Sequence, residues 1–262
     1  VPLVRKADMP KDPAALQHLN RNSADWSDVF REATWDEALA LATGPLKALR
    51  DARPNSLADG TYKPLAGLGS AKGSNEEAYL FQKLVRTGFG SNNVDHCTRL
   101  CHASSVAALL EGIGSGAVSN PVMDVLEAEV VLLIGANPVV NHPVAATWIK
   151  NAVKRGTKLI LADPRRSELA RHAWRYLQFG ADTDVALLNA MMHAIVEEGL
   201  VDRTFVASRT SGYDEIAKNV AAFSPEAMAD VCGIPAATIR EVARAFATSR
   251  GSMILWGMGI SQ

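Results

Sequence analysis

From Glu129 onward, short apolar runs alternate with stretches of helical period. Val130–Ile134 is apolar at every position, the pattern of a strand buried on both faces. Helical positions follow over Pro143–Val153, closed by Gly156, and Lys158–Leu161 forms the next strand. Ser167–Ala173 is expected to be helical, and Tyr176–Phe179 a shorter strand. Asp184–Glu198 predicts a helix stopped by Gly199, with Leu187, Leu188, Met191 and Ile195 on one face. Two more helices start at Ser224-Pro225-Glu226 and at Pro235, the second carrying Ile239, Val242, Ala243 and Phe246 at i, i+3, i+4, i+7. Ser252–Trp256 closes the series as a strand. This alternation predicts an α/β fold built of βαβ units, an αβα sandwich with a mostly parallel sheet.

The part before Glu129 is less regular. It opens without a clear period and then shows a capping box, Thr34-x-x-Glu37, ahead of Ala38, Leu39, Leu41 and Ala42. A second box, Ser74-x-x-Glu77, follows the small-residue run Gly67–Gly73, which is expected to approach the helix without a strand. Such an approach can offer backbone N–H groups to an anion, and it is equally the form of an ordinary capped turn.

In a doubly wound sheet, ligands sit beyond the carboxyl ends of the strands. Three exits stand out: Gly135-Ala136-Asn137-Pro138, Ala162-Asp163-Pro164-Arg165-Arg166 and Gly257-Met258-Gly259. Asp163 occupies the place where nucleotide-binding α/β folds accept a hydrogen bond from ribose or base, and it is also a fitting residue just before a helix that starts at Pro164. The first exit is not Gly-x-Gly-x-x-Gly, and Gly112–Gly116 follow a helical stretch, so that run is taken as a glycine turn and not as a nicotinamide-dinucleotide fingerprint.

With 262 residues, 48% hydrophobic and 21% charged, the chain has material for one large or two ordinary domains and is neither disordered nor fibrous. A net charge of −1 gives no field that argues for nucleic acid or an anionic membrane surface. No apolar run reaches the about 18 residues of a membrane span. Three cysteines, Cys97, Cys101 and Cys232, do not make a disulfide framework, and a cytoplasmic setting is expected. The start at Val1 and the stop at Gln262, just after the last strand, suggest a stretch of something longer, with no element expected after that strand.

Reactive side chains concentrate in Asp95–Ser105, which holds Cys97, Cys101, His96 and His102. The four-residue cysteine spacing does not match a zinc or thioredoxin-type site. A cysteine beside a histidine is a soft metal ligand or a nucleophile next to a proton acceptor, and it is equally a small buried hydrophobe with a surface neighbour.

The run Cys97-Thr98-Arg99-Leu100-Cys101-His102-Ala103-Ser104-Ser105 closely resembles the active-site segment of molybdenum or tungsten formate dehydrogenases, of the molybdopterin oxidoreductase superfamily. Gly69–Glu77, Asn92–Asp95, Gly135–Pro138 with His142-Pro143, Ala162–Arg165, Thr183–Ala190 and Leu255–Gly259 resemble further family stretches in order and spacing. The histidine after the cysteine separates this branch from relatives such as nitrate reductases. The resemblance implies a catalytic subunit oxidising formate to CO2, reversibly, at a Mo or W bis(molybdopterin guanine dinucleotide) centre. Cys101 would be the metal ligand and, with His102, the catalytic pair. Gly135, Asn137, His142, Asp163, Arg165, Gly180, Asp184, Gly257 and Gly259 would bind the cofactor. It also implies a [4Fe–4S] cluster held outside this stretch and electron-transfer partner subunits with Fe–S or flavin groups, NAD-linked by preference, with no nucleic acid partner. Residues 1–95 would belong to a first cofactor-binding αβα domain, and 96–262 to a Rossmann-like αβα domain incomplete at its carboxyl end. Two alternatives stay open: another reaction on the same cofactor, such as nitrate reduction, and a non-catalytic nucleotide-binding or interaction module.

Overall fold

A computed structural model describes residues 1–9, 11–12, 27–52 and 65–262. They form two compact units, Val1–Arg99 and Leu100–Gln262.

In the first unit, β1 (Leu3–Arg5) pairs antiparallel with β2 (Phe30–Glu32), so the chain opens with a strand pair where no period was legible. Helix α1 spans Trp35–Ala52. Its cap is half of the expected box: Thr34 Oγ1 accepts the Glu37 N–H at 3.2 Å, while the Glu37 carboxylate turns to the Arg31 guanidinium. The small-residue run contains a strand after all. β3 (Gly67–Gly69) leads into α2 (Asn75–Lys83) and pairs in parallel with β4 (Val94–His96), making a short βαβ unit. Here the box is complete, with the Ser74 N–H donating to Glu77 Oε2 at 2.6 Å and the Glu77 N–H to Ser74 Oγ at 3.3 Å. The cap consumes two of the amides that an anion would have used.

Helices α3 (Thr98–Cys101) and α4 (Ala103–Ile113) follow, the latter stopped by Gly114 in the left-handed region. The second unit then builds a four-stranded parallel sheet from β5 (Val130–Ile134), β6 (Lys158–Ala162), β7 (Arg175–Leu177) and β8 (Ser252–Trp256), in the order β7-β6-β5-β8. Ile134 lies opposite both Ala162 and Trp256, so the ends of β6, β5 and β8 are in register. Between the strands run α5 (Pro138–Asn141), α6 (Pro143–Lys154), α7 (Asp184–Glu197), α8 (Arg203–Arg209), α9 (Tyr213–Val220), α10 (Pro225–Cys232) and α11 (Ala236–Ala247). Ser167–Ala173 is not an α-helix but a 3₁₀ turn over Glu168–Arg171.

Period-2 alternation sorts the strand residues onto two cores. Val130, Leu132, Ile134 and Ile160 face Leu187, Ala190, Ile239 and Val242 of α7 and α11. Val131, Leu133, Leu159 and Leu161 face Ile149 and Ala152 of α6, with Leu169. The unit is therefore helix, sheet, helix, as the alternation predicts. Cys232 is fully buried in the first core. A one-turn helix, α12 (Met258–Ser261), follows β8, where no element was expected.

From β5 the chain moves to β6 and β7 on one side and returns to β8 on the other. The carboxyl ends of β5 and β8 thus flank the point where the strand order reverses, the crevice in which open α/β sheets bind ligands.

Candidate functional site at the β5–β8 crevice

The two loops that leave the crevice touch backbone to backbone. Gly135 has φ +59°, donates its N–H to Ala162 O at 3.0 Å and accepts the Gly259 N–H on its carbonyl at 3.1 Å. A Cβ on Gly259 would stand 2.8 Å from Gly135 Cα, and one on Gly135 would stand 3.0 Å from Gly259 Cα. Neither contact can relax by a side-chain rotation, so both positions require glycine.

Next to this cradle is Asn137, at the start of α5 with Pro138 in the first helical position. Asparagine is a favoured capping residue, yet its side chain makes no cap bond here. Its Oδ1 is buried without a hydrogen-bond partner. An orphaned buried oxygen costs about 1–3 kcal/mol and calls for a donor supplied by something else. The β5 exit therefore fits a ligand that brings its own N–H or O–H groups close to backbone, as a pterin or a guanine nucleotide does.

Cys101 ends α3, and His102 links it to α4. Cys101 Sγ lies 3.3 Å from His102 Nε2 and 3.6 Å from Met258 Sδ, on the turn that follows β8. The pair foreseen from sequence is thus joined to the glycine cradle through α12. Three further bonds tie the segment to that turn: Ser104 Oγ donates to Ser261 O, the Ser105 and Ser261 hydroxyls share a hydrogen bond at 2.7 Å, and Gln262 Nε2 donates to Leu100 O at 2.7 Å. Trp256 Nε1 also donates to Ser105 Oγ at 3.3 Å. Met258, Trp256, Ser104 and Ser105 lie in stretches that the sequence singles out, without a role of their own there, and Ser261 was not foreseen; the signal available was a methionine set between two glycines at a strand exit.

The other strand exits open on the same edge of the sheet. Asp163 Oδ1 accepts the Arg165 N–H at 2.8 Å, a tight loop that uses one carboxylate oxygen and leaves the other. Tyr176 donates its hydroxyl to Asp163 O at 3.1 Å, and burial, followed by the Asp163 charge, raises its pKa above the usual tyrosine value. Arg165 is exposed. After β7, Gly180 O accepts the Thr183 hydroxyl at 2.6 Å, which shapes the approach to Asp184 at the start of α7. Asp182, between them, holds φ +66°, a left-handed conformation that aspartate tolerates better than most residues. His142 is exposed and stands at the N-cap position of α6 without a side-chain cap bond.

Cys97 is exposed, and His96 Nδ1 accepts the Thr98 N–H at 3.1 Å, making it a cap for α3. Arg99 Nε lies 2.8 Å from Asp95 Oδ2 and, with the His96 N–H, holds the Asp95 carboxyl below the usual range. Among the described residues, no three His, Cys, Asp or Glu side chains converge as a metal cluster. A metal at Cys101 would take its remaining ligands from elsewhere.

The sequence profile described as "Molybdopterin oxidoreductase" matches residues 1–262. The chain is 40% identical over 232 residues to Formate dehydrogenase H of Escherichia coli (strain K12), covering 87% of this chain and 31% of that protein. It is 38% identical over 233 residues to F420-dependent formate dehydrogenase 1 subunit alpha of Methanococcus maripaludis, covering 88% and 33%. The chain thus spans about a third of the curated relatives it matches. Among solved structures, acetylene hydratase from Pelobacter acetylenicus superposes with a TM-score of 0.68 at 26% identity, over 88% of this chain and 30% of that one. A hydratase among the neighbours shows that this fold does not choose the reaction. Profile and relatives agree: the chain belongs to the molybdopterin oxidoreductase family.

Proposed function

We propose that this chain is part of the catalytic subunit of a formate dehydrogenase, oxidising formate to CO2 at a molybdenum or tungsten centre carried by a bis(molybdopterin guanine dinucleotide) cofactor. The observation that carries the proposal is Cys101 Sγ at 3.3 Å from His102 Nε2 and 3.6 Å from Met258 Sδ, a cysteine–histidine pair seated on the turn that leaves the crevice. The named formate dehydrogenases among the relatives support the substrate.

Cys101 binds the metal through its thiolate, a soft donor suited to that class of ion. The metal, when bound, supplies a two-electron redox centre. His102, exposed with Nε2 3.3 Å from the Cys101 sulfur, would stand over formate at the metal. Asn137 Oδ1 accepts a hydrogen bond from the cofactor, and the close packing of Gly135, Gly257 and Gly259 against one another's loops holds the segment that carries Asn137. The free oxygen of Asp163 accepts from a ribose hydroxyl or guanine, and Arg165 screens phosphate charge. Gly180, Asp184 and His142 complete the cofactor contacts along the same edge. Residues 1–95 and 96–262 contribute to separate cofactor-binding domains. A [4Fe–4S] cluster and NAD-linked electron-transfer subunits, in a cytoplasmic complex, lie outside this stretch.

The full-length protein, produced in cells supplied with molybdate or tungstate, is to be analysed for both metals and assayed for formate-dependent dye reduction. Metal together with formate oxidation is expected, and Cys101→Ser should abolish the activity. A folded, metal-free protein from replete cells, or nitrate reduction without formate oxidation, would refute the proposal.

A further inference from the structure

Helix α4 has no fully buried residue, so apolar packing within its own unit does not fix the segment that carries Cys101. Polar contacts with the turn after β8 do. Leu100 O is held by Gln262 Nε2, Ser104 Oγ by Ser261 O, Ser105 Oγ by both Ser261 Oγ and Trp256 Nε1, and Cys101 Sγ meets Met258 Sδ. The turn is in turn locked to the β5 exit by the Gly259 N–H on Gly135 O and closed on itself by the Ser261 N–H on Gly257 O at 3.3 Å.

We infer that Ser261 is a positioning residue for Cys101, setting the place of the sulfur relative to the Gly135–Asn137 loop. The inference rests on the assignment of Cys101 as the metal-binding thiolate. Ser261 is buried at 8% exposure, and it is the residue that engages α4 twice, through its hydroxyl and through its carbonyl. Removing the hydroxyl leaves the Ser261 carbonyl bond, the Trp256–Ser105 and Gln262–Leu100 bonds and the turn in place, and loosens the first turn of α4 at Ser105. The sulfur is then held less firmly against Met258 and in its register with the cradle. Ser261 touches no reacting atom; it acts through Ser105 and α4.

The test uses the full-length protein in two states. In the metal-free state, iodoacetamide labelling of Cys101 is followed by peptide mass spectrometry, with the exposed Cys97 as internal reference. Ser261→Ala is expected to raise the Cys101-to-Cys97 labelling ratio about fivefold, the size of one lost hydrogen bond, and Ser261→Thr to restore it. In the metal-loaded state, Ser261→Ala should lower kcat about tenfold at unchanged KM for formate, since a displaced reacting group costs rate and not binding. A cooperatively melting Ser261→Ala protein with wild-type labelling and wild-type kcat overturns the inference, and so does a lowered Tm with the ratio unchanged. If Ser261→Ala does not fold, Ser105→Ala removes the same bond together with that from Trp256 Nε1, and Trp256→Phe, which removes the second bond alone, is the control against which its labelling ratio is read. Should the wild-type protein not oxidise formate, the functional proposal fails while the labelling ratio still decides the role of Ser261.

Discussion

Gly135 and Gly259 meet through their backbones, with the Gly259 N–H donating to Gly135 O at 3.1 Å and no room for a Cβ on either residue. Gly259→Ala would push backbone against backbone, a form of overpacking that costs about 1–3 kcal/mol. The urea midpoint of the variant should fall accordingly, and its cofactor content with it, because the displaced loop carries Asn137. An unchanged midpoint would show that the two loops separate freely.

Asn137 makes the opposite prediction for stability. Its buried Oδ1 has no partner, so Asn137→Ala removes a liability of about 1–3 kcal/mol along with a small loss of packing. The cofactor-free variant should melt no lower than the wild type, while its cofactor occupancy drops. A large fall in Tm would mean that the oxygen is satisfied within the protein.

A pH effect is expected far from the crevice. Arg240 bonds Glu226 at 2.9 Å through two nitrogens, and also Glu197 at 2.7 Å and Glu198 at 3.0 Å. The Arg240 bonds, followed by a backbone N–H, push the Glu226 carboxyl down from 4.5 to about 2. Because the folded value is depressed, the contribution is complete above the unfolded value and is lost as pH falls from 4.5 through about 2. Glu226 is 60% exposed, so solvent and salt screen the pair and its contribution is small. Melting temperatures of wild type and Glu226→Gln should differ at neutral pH in low salt and converge as pH drops through that window. A gap independent of pH would count against the ion pair.

On β5, Leu132 and Leu133 point into opposite cores and are each 2% exposed. Either change to alanine should cost about 2–5 kcal/mol, measured by denaturant unfolding, because close-packed neighbours on both faces cannot collapse into the space. A cost confined to one of the two would show that only one face is well packed.

The sheet was legible because β5, β6 and β8 are apolar or β-branched runs, and the helices α6, α7, α10 and α11 because prolines, glycines and a serine cap mark their ends. Strands β1 to β4 have three residues each, include glycine and arginine, and are defined by pairing partners that a local pattern does not show. Helices α8 and α9 lie in a polar stretch whose caps, Asp202 and Gly212, are weak signals taken alone. At the site, Cys101, His102 and the glycines are distinctive by type. Ser105, Ser261 and Met258 are ordinary residues whose role depends on a contact across most of the unit, and no spacing rule reports that.

Strand β5 gains its second neighbour late. Val130 pairs with Lys158 on one side after a single crossover, but with Ser252 on the other only once five further helices have been traced. During synthesis, one hydrogen-bonding edge of an all-apolar strand therefore waits for a partner more than a hundred residues downstream, a non-local closure of the kind that slows folding and invites association. The crevice between β5 and β8 cannot exist before that closure, so the order in which the chain folds delays any cofactor insertion until the β8 turn has arrived.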